Sequence, residues 1–268
     1  MTMDERHKRV IDLLKKESKI RVDDLAARLN VSQVTMRKDL DTLEKRGLLE
    51  RIHGSAIFSQ QSRFNITFLE KLHMNAAAKK LIAQAALSYI NEGDSIILDA
   101  GTTTLSLAQA LAGKFKSLYV ITNSVAAALE LSKAGYEILL IGGQVRNHSL
   151  ALIGPAAVKT LESYHADRAF IGASGISLSH GCSTPNALDA EIKEAMIRAA
   201  EETYVLSDSS KFGHNCLVSF ASLSDIHLTI TDSGISSKVF DEFRQHDIEI
   251  RIIDSNGELV SKPARGSA

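Results

Sequence analysis

Two groups of side chains in this chain have the types and spacing to do chemistry, and both suit anions. The first is Ser32, Gln33, Thr35, Arg37 and Lys38, which fall off a helical stripe formed by Met36, Leu40 and Leu43. Ser32 is a good N-cap, because its hydroxyl can accept from an orphan amide of the first turn. Amides can read base edges from such a position, and hydroxyl and guanidinium groups can hold phosphates. Arg51 and His53 follow closely in sequence. The second group lies at the ends of three short apolar runs: Asp99-Ala100-Gly101-Thr102-Thr103-Thr104, then Thr122-Asn123-Ser124, then Gly142-Gly143-Gln144-Val145-Arg146. Gly101 allows close backbone approach to a ligand. Thr102, Thr103 and Thr104 place hydroxyls and amides at a helix start, which is an anion site. A strand-to-helix turn also wants Gly then Thr for local reasons alone, so one such loop decides little. Three consecutive ends bearing small polar residues favour a site. Arg146 is open between holding a second anion and sitting in solvent. Lys211, at a later strand end, is open between a phosphate or hydroxyl donor and a solvated loop lysine.

The elements that must position these residues are legible on both sides. Val10, Leu13 and Leu14 give a first helix from near Asp4, ended by a break at Ser18-Lys19-Ile20-Arg21. Val22, Leu25 and Leu29 mark a short second helix, with Asp23 and Asp24 suited to its first turn. Asn30-Val31-Ser32 leads tightly into the third, giving a helix-turn-helix. Gly47 is placed to end that helix as a C′ residue. Leu48–Ile52, a turn at His53-Gly54-Ser55, and Ala56–Phe58 then read as a β-wing. From Ser95 onward strands and helices alternate. Strands are expected at 96–98, 118–121, 137–141, 168–171, 204–207, 226–230 and 248–253, and helices at 104–112, 125–133, 187–201 and 238–245. That order implies a mainly parallel sheet with helices on its faces, whose ligands bind beyond the strand carboxyl ends. Gly181–Asn186 is expected to continue a glycine-rich loop after the 168–171 strand.

Composition bounds the rest. The 268 residues suffice for two domains, and a 44% apolar fraction suits a substantial core. Residues 1–60 carry 13 Lys/Arg against 10 Asp/Glu, while the remainder carries 18 against 22. A basic head thus sits on an acidic body, which favours a polyanion at the head. Cys182 and Cys216 make no disulfide framework, and a reducing cytoplasm fits. No apolar signal core and no membrane-length run is present, and no metal-ligand cluster or cofactor motif stands out. The expected partition is a head at 1–60, a polar linker at 61–75, a body at 76–258 and a flexible tail at 259–268.

The run Val31-Ser32…Thr35-Met36-Arg37-Lys38-Asp39-Leu40…Leu43-Glu44…Gly47-Leu48-Leu49…Arg51…His53-Gly54 resembles the signature of the DeoR family of bacterial transcription regulators. The body is similar too, at Asp99…Gly101-Thr102-Thr103, Thr122-Asn123-Ser124, Gly142-Gly143…Arg146 and Asp208-Ser209-Ser210-Lys211-Phe212-Gly213. Met36-Arg37-Lys38 stands for the commoner Ile-Arg-Arg, and Ser55 for a usual second glycine. The resemblance implies a winged helix-turn-helix on an α/β sensor related in fold to ribose-5-phosphate isomerase. It implies a repressor of a carbohydrate operon, with double-stranded operator DNA and a phosphorylated sugar or sugar alcohol as partners. Homo-oligomerisation would pair heads on repeated half-sites. Gly101–Thr104 would hold the phosphate, Asn123, Ser124, Gly142, Gly143 and Lys211 would line the rest, and Asp99, Glu191 and Lys193 would lie near the sugar. An aldose–ketose isomerase using Asp99, Glu191 and Lys193 is the rival reading.

Overall fold

The computed structural model describes residues 2–17, 19–45, 48–52, 54–57, 68–147 and 149–260. The chain divides into two compact units, Met1–Thr67 and Phe68–Ala268.

In the first unit, helices α1 (Met3–Glu17), α2 (Val22–Arg28) and α3 (Gln33–Lys45) bury the expected apolar stripes. Val10, Leu14, Leu25, Met36 and Leu40 are fully enclosed. Each such side chain contributes about 1.5–3 kcal/mol of burial free energy. Strands β1 (Lys19–Arg21), β2 (Glu50–Ile52) and β3 (Ser55–Ile57) form an antiparallel sheet in the order β1-β3-β2. The expected break at 18–21 is therefore corrected, because Lys19–Arg21 is a strand. Ile20 pairs with Ala56 and both are buried. Three residues show no period of their own, and only the distant partner makes them extended. Leu48 and Leu49 are buried ahead of the wing rather than inside its first strand. The second wing strand starts one residue early, at Ser55. Gly47, His53, Phe58 and the polar run 59–65 lie outside the described residues.

A polar tie supplements this small core. The Asp39 carboxylate, buried on α3, accepts from Arg6 Nε at 2.5 Å and Arg6 Nη2 at 2.9 Å, and lies 3.1 Å from His7 Nε2. Burial alone would raise the Asp39 carboxyl, but the Arg6 and His7 contacts outweigh it and hold it low.

The second unit is built on an eight-stranded sheet. Its strands are β4 (Ser95–Leu98), β5 (Tyr119–Thr122), β6 (Glu137–Leu140), β9 (Ala166–Ile171), β12 (Ala200–Leu206), β14 (Leu228–Asp232), β15 (Ile250–Ile253) and β16 (Leu259–Val260). They run in the order β16-β15-β14-β12-β9-β4-β5-β6, parallel except for the β15–β16 pair. Alternate residues feed two cores. Ile96, Leu98, Phe170, Tyr204 and Leu206 face one, with Ile82 and Ala86 of α5 (Ala76–Ala86), Leu107 and Leu111 of α6 (Thr102–Leu111) and Leu131 of α7 (Val125–Leu131). Ile97, Ala169, Ile171 and Val205 face the other, with Leu161 of α8 (Pro155–Leu161), Ile192 and Met196 of α9 (Ala187–Arg198) and Phe240 and Phe243 of α10 (Ser237–Gln245).

Several expected boundaries move. The stretch expected as linker, 61–75, holds helix α4 (Phe68–His73), anchored by buried Phe68 in the first of these cores. Residues 259 and 260 are not tail, since they pair with β15. The helix expected to reach Glu201 stops at Arg198, because Ala200 and Glu202 already pair with β9. Gly181–Thr184 is strand β11, not loop, within a small antiparallel sheet with β10 (Gly175–Ser177) and β13 (Val218–Ala221). A hairpin of β7 (Gln144–Arg146) and β8 (Ala151–Ile153) completes the unit. Among the described residues no helix is long and apolar enough to cross a membrane.

Candidate functional site

The head carries the first candidate surface. Ser32 Oγ accepts the Thr35 amide at 3.1 Å, and the two hydroxyls lie 2.8 Å apart, so both side chains serve the start of α3. Gln33, Arg37 and Lys38 are exposed beside them. Val34, which sequence reasoning passed over, is 65% exposed between Gln33 and Arg37. An apolar residue left in solvent at a helix start has the reach for a thymine methyl in a major groove. Arg51, expected at the DNA, has partners within the head. Its guanidinium pairs with Asp41 and its amide donates to Glu44 Oε1 at 3.0 Å, so it fastens the wing to α3. His53 lies outside the described residues.

In the body, the parallel strands end on one edge, and the second candidate group gathers there. Gly101 caps α6. Its amide donates to Thr104 Oγ1 at 2.9 Å, and that hydroxyl can donate to the Asp99 carbonyl at 2.5 Å. Thr104 is wholly buried and spent inside the turn. Thr102 and Thr103, also buried, make no side-chain hydrogen bond among the described residues, and first-turn amides have no intrahelical acceptor. The loop thus offers two threonines rather than three.

Asp99 and Lys193 meet across the ends of β4 and β9. The Lys193 ammonium donates to Asp99 Oδ2 and to the Gly172 carbonyl at 2.8 Å, while the Gly172 amide donates to Asp99 Oδ2 at 3.1 Å. Lys193 Nζ also lies 5.4 Å from the centre of the Phe220 ring. Both charges are buried, at 4% and 8% exposure. Glu191, expected near the sugar, is not with them; it is exposed. Two positions along a helix turn a side chain to the other side, whereas four keep it on the same face. Asp189, four residues before Lys193, is the carboxylate that faces inward. Burial pushes its carboxyl up, against the pull of Arg146 and Lys193. Arg146, left open between anion and solvent, does neither alone: Nη1 sits 3.1 Å from Asp189 Oδ2.

Asn123 and Ser124 serve the scaffold. Asn123 Nδ2 donates to the Leu152 carbonyl at 3.2 Å and the Leu152 amide donates to the Asn123 carbonyl at 2.9 Å, which fastens β8. The buried Asn123 Oδ1 has no partner among the described residues. Ser124 caps α7 by accepting the Ala127 amide at 3.1 Å. Gly142 and Gly143 are exposed rather than enclosed. A Cβ at Gly143 would stand 2.7 Å from the Ile153 carbonyl oxygen, so the glycine lets the chain cross the hairpin that carries Arg146.

Beyond β12, buried Asp208 accepts from Asn75 Nδ2 at 2.9 Å and from Ser210. Lys211 Nζ lies 4.0 Å away and is partly exposed. Burial would raise the Asp208 carboxyl, but Lys211, Ser210, Asn75 and Lys79 bring it below its usual range. Two cations missed in the sequence reading complete the group. Lys79 of α5 is 4% exposed and donates to the Lys71 main-chain carbonyl. Lys71 of α4 interacts with Lys211, Asp189 and Arg146. Desolvation, with their cationic neighbours, lowers both ammonium groups to about 8. Lys79 was readable, since it falls on the stripe of Ile82, Ala83 and Ala86 where a charge is out of place. Lys71 lay in the expected linker and carried no signal. Five cations, Lys71, Lys79, Arg146, Lys193 and Lys211, therefore share three carboxylates, Asp99, Asp189 and Asp208. The surplus fits an anion of two charges.

Residues 74–233 match the family described as DeoR C terminal sensor domain, and residues 6–62 match the DeoR-like helix-turn-helix domain. The chain is 39% identical over 236 residues to the uncharacterized HTH-type transcriptional regulator YulB of Bacillus subtilis, covering 88% of this chain and 91% of that protein. It is 34% identical over 252 residues to a putative aga operon transcriptional repressor of Escherichia coli O157:H7, covering 93% of each. Among solved structures, ribose 5-phosphate isomerase A from Methanocaldococcus jannaschii matches 52% of this chain and 55% of its own at 18% identity, with a TM-score of 0.39.

Proposed function

We propose, since this chain belongs to the DeoR family of transcription regulators, that it is a repressor of a carbohydrate-use operon whose operator binding is set by a phosphorylated sugar or sugar alcohol. The observation that carries this reading is the charge imbalance at the strand ends, five cations against three carboxylates, beside the Thr102–Thr103 helix start. A phosphate monoester carries close to two negative charges at neutral pH. It would occupy the amides of α6 and the surplus ammonium groups, while the Asp99–Lys193 pair supplies an acceptor and a donor for sugar hydroxyls. A named relative, the aga operon protein, is described as a repressor, which supports repression here.

The head would place the start of α3 in a major groove, with Gln33 and Val34 at base edges and Arg37 and Lys38 at phosphates. Two heads brought together by association of bodies would read half-sites about 34–36 Å apart, or multiples of that spacing. A ligand that prefers one arrangement of the bodies shifts the heads by that difference in affinity and by no more. The test uses the full chain and a duplex selected from a randomised library. Operator affinity is measured with and without each member of a panel of phosphorylated sugars and sugar alcohols. At least one should change it, by about 5–150-fold for a coupling of ordinary size; constancy across the panel would refute the sensing role. The isomerase reading draws on Asp99, Glu191 and Lys193, and of these Glu191 is exposed outside the group. Turnover of ribose 5-phosphate by the purified chain would restore it.

A further inference from the structure

Helix α4 is the first element of the body after the chain leaves the head. Three ties fix it at the strand-end edge. Phe68 is buried among Ile82, Ala83 and Leu105 in the core beneath α6. The buried Lys79 ammonium donates to the Lys71 carbonyl, closing the last turn of α4. Asn75, in the left-handed conformation between α4 and α5, donates its side-chain amide to Asp208 at 2.9 Å. Held this way, α4 brings the half-buried Lys71 within electrostatic reach of Lys211, Asp189, Arg146 and Cys216. Asp189 is already paired with Arg146 at 3.1 Å, and Asp208 already accepts from Asn75 and Ser210. Among the described residues no carboxylate stands within 4 Å of the Lys71 ammonium. A half-buried cation beside two others, with the nearby carboxylates occupied, is a poor arrangement unless an anion joins it.

We propose that Lys71 is a ligand-binding residue of the effector site: its ammonium closes on a doubly charged phosphate group shared with Lys211, and that contact fixes α4, so the ligand holds the point where the chain from the head enters the body. This rests on the phosphate reading above and adds the route by which occupancy is communicated. The ligand's charge is the linkage. A neutral sugar of the same shape offers Lys71 no charge to pair with and leaves α4 unchanged. A phosphate ester pairs with Lys71 and holds residues 68–75 more firmly where the three ties already seat them.

The test titrates the full-length protein with inorganic phosphate. Binding is followed by calorimetry and amide exchange of residues 68–79 by mass spectrometry, for wild type, Lys71→Met and Lys71→Arg. Wild type should bind phosphate, and exchange across 68–79 should slow. Lys71→Met should lose about tenfold or more in affinity, the effect of one charge-assisted contact, and the slowing with it. Lys71→Arg should retain both, which a purely structural role would not produce if Met packs equally well. If Lys71→Met binds phosphate as wild type does, the assignment of Lys71 is wrong while the anion site stands. If wild type binds phosphate with no change in exchange at 68–79, the route through α4 is wrong. If wild type shows neither heat nor slowing, the anion site falls, and the proposed function with it.

Discussion

Single side chains divide here into those that face outward for a partner and those consumed by the fold. Arg37 belongs to the first kind, being exposed and without an ion pair among the described residues. Replacing it with Ala should weaken duplex binding across all sequences and lower the salt slope of log affinity by about 1, the signature of one lost phosphate contact. An unchanged slope would move Arg37 off the backbone. Asp39, two residues on, is the opposite kind, buried with Arg6 and His7. Asp39→Asn should cost about 1–3 kcal/mol of head stability, because the Arg6 charge loses its partner. Its folded carboxyl is held low, so its stabilisation is complete above the unfolded value near 3.9 and fades as pH falls below that through the folded one. Thermal unfolding between pH 2 and 5 should show a steeper acid loss in wild type than in Asp39→Asn. Equal slopes would remove Asp39 from the acid response.

Elements explain why some of the site was legible and some was not. The strand-end loops announce themselves, since a glycine followed by hydroxyl residues suits a strand-to-helix turn, and Gly101-Thr102-Thr103 makes one here. The parallel sheet was equally readable, because strands such as Ile96-Ile97-Leu98 sit between two cores and are apolar on both faces. Four short strands of the antiparallel pairings were invisible. β1, β7, β8 and β11 are extended because a partner strand binds them, and no local period records that. Asp189 was missed for a related reason: both it and Glu191 lie in one helix, and only the register against Lys193 tells which faces inward. The β7–β8 hairpin matters beyond its size, as it delivers Arg146. Gly143→Ala would thrust a Cβ to 2.7 Å from the Ile153 carbonyl oxygen, and backbone cannot yield as a side-chain tip does. The expected result is a loss of about 1–3 kcal/mol in body stability, with weaker anion binding as the hairpin shifts. Wild-type stability in this variant, measured by urea unfolding, would show that the crossing has slack.

At the scale of the whole molecule, one edge of the body gathers five cations against three carboxylates. Lys71 and Lys79 both sit near 8 rather than near the usual lysine value of about 10.4. The unfolded chain binds more protons than the folded one between those limits, so folding stability rises with pH from about 8 to about 10.4. Below pH 8 the full penalty is present. The melting temperature of the ligand-free protein, taken relative to Lys79→Met, should therefore climb across that window, and saturating phosphate should flatten the climb. A flat difference without phosphate would mean that these ammonium groups are hydrated.

The residues that meet at the strand ends come from separate connections: the α4–α5 corner, the β4–α6 turn, the β7 hairpin, the first turns of α9 and the loop after β12. Beneath them the sheet contributes mostly aliphatic side chains buried in the two cores. Selectivity is thus modular. One connection can be rewritten for a longer, shorter or differently branched metabolite without disturbing the framework. Ancestral change in what is sensed would then be recorded in these turns, and grafting one of them between relatives is the direct way to transplant a preference.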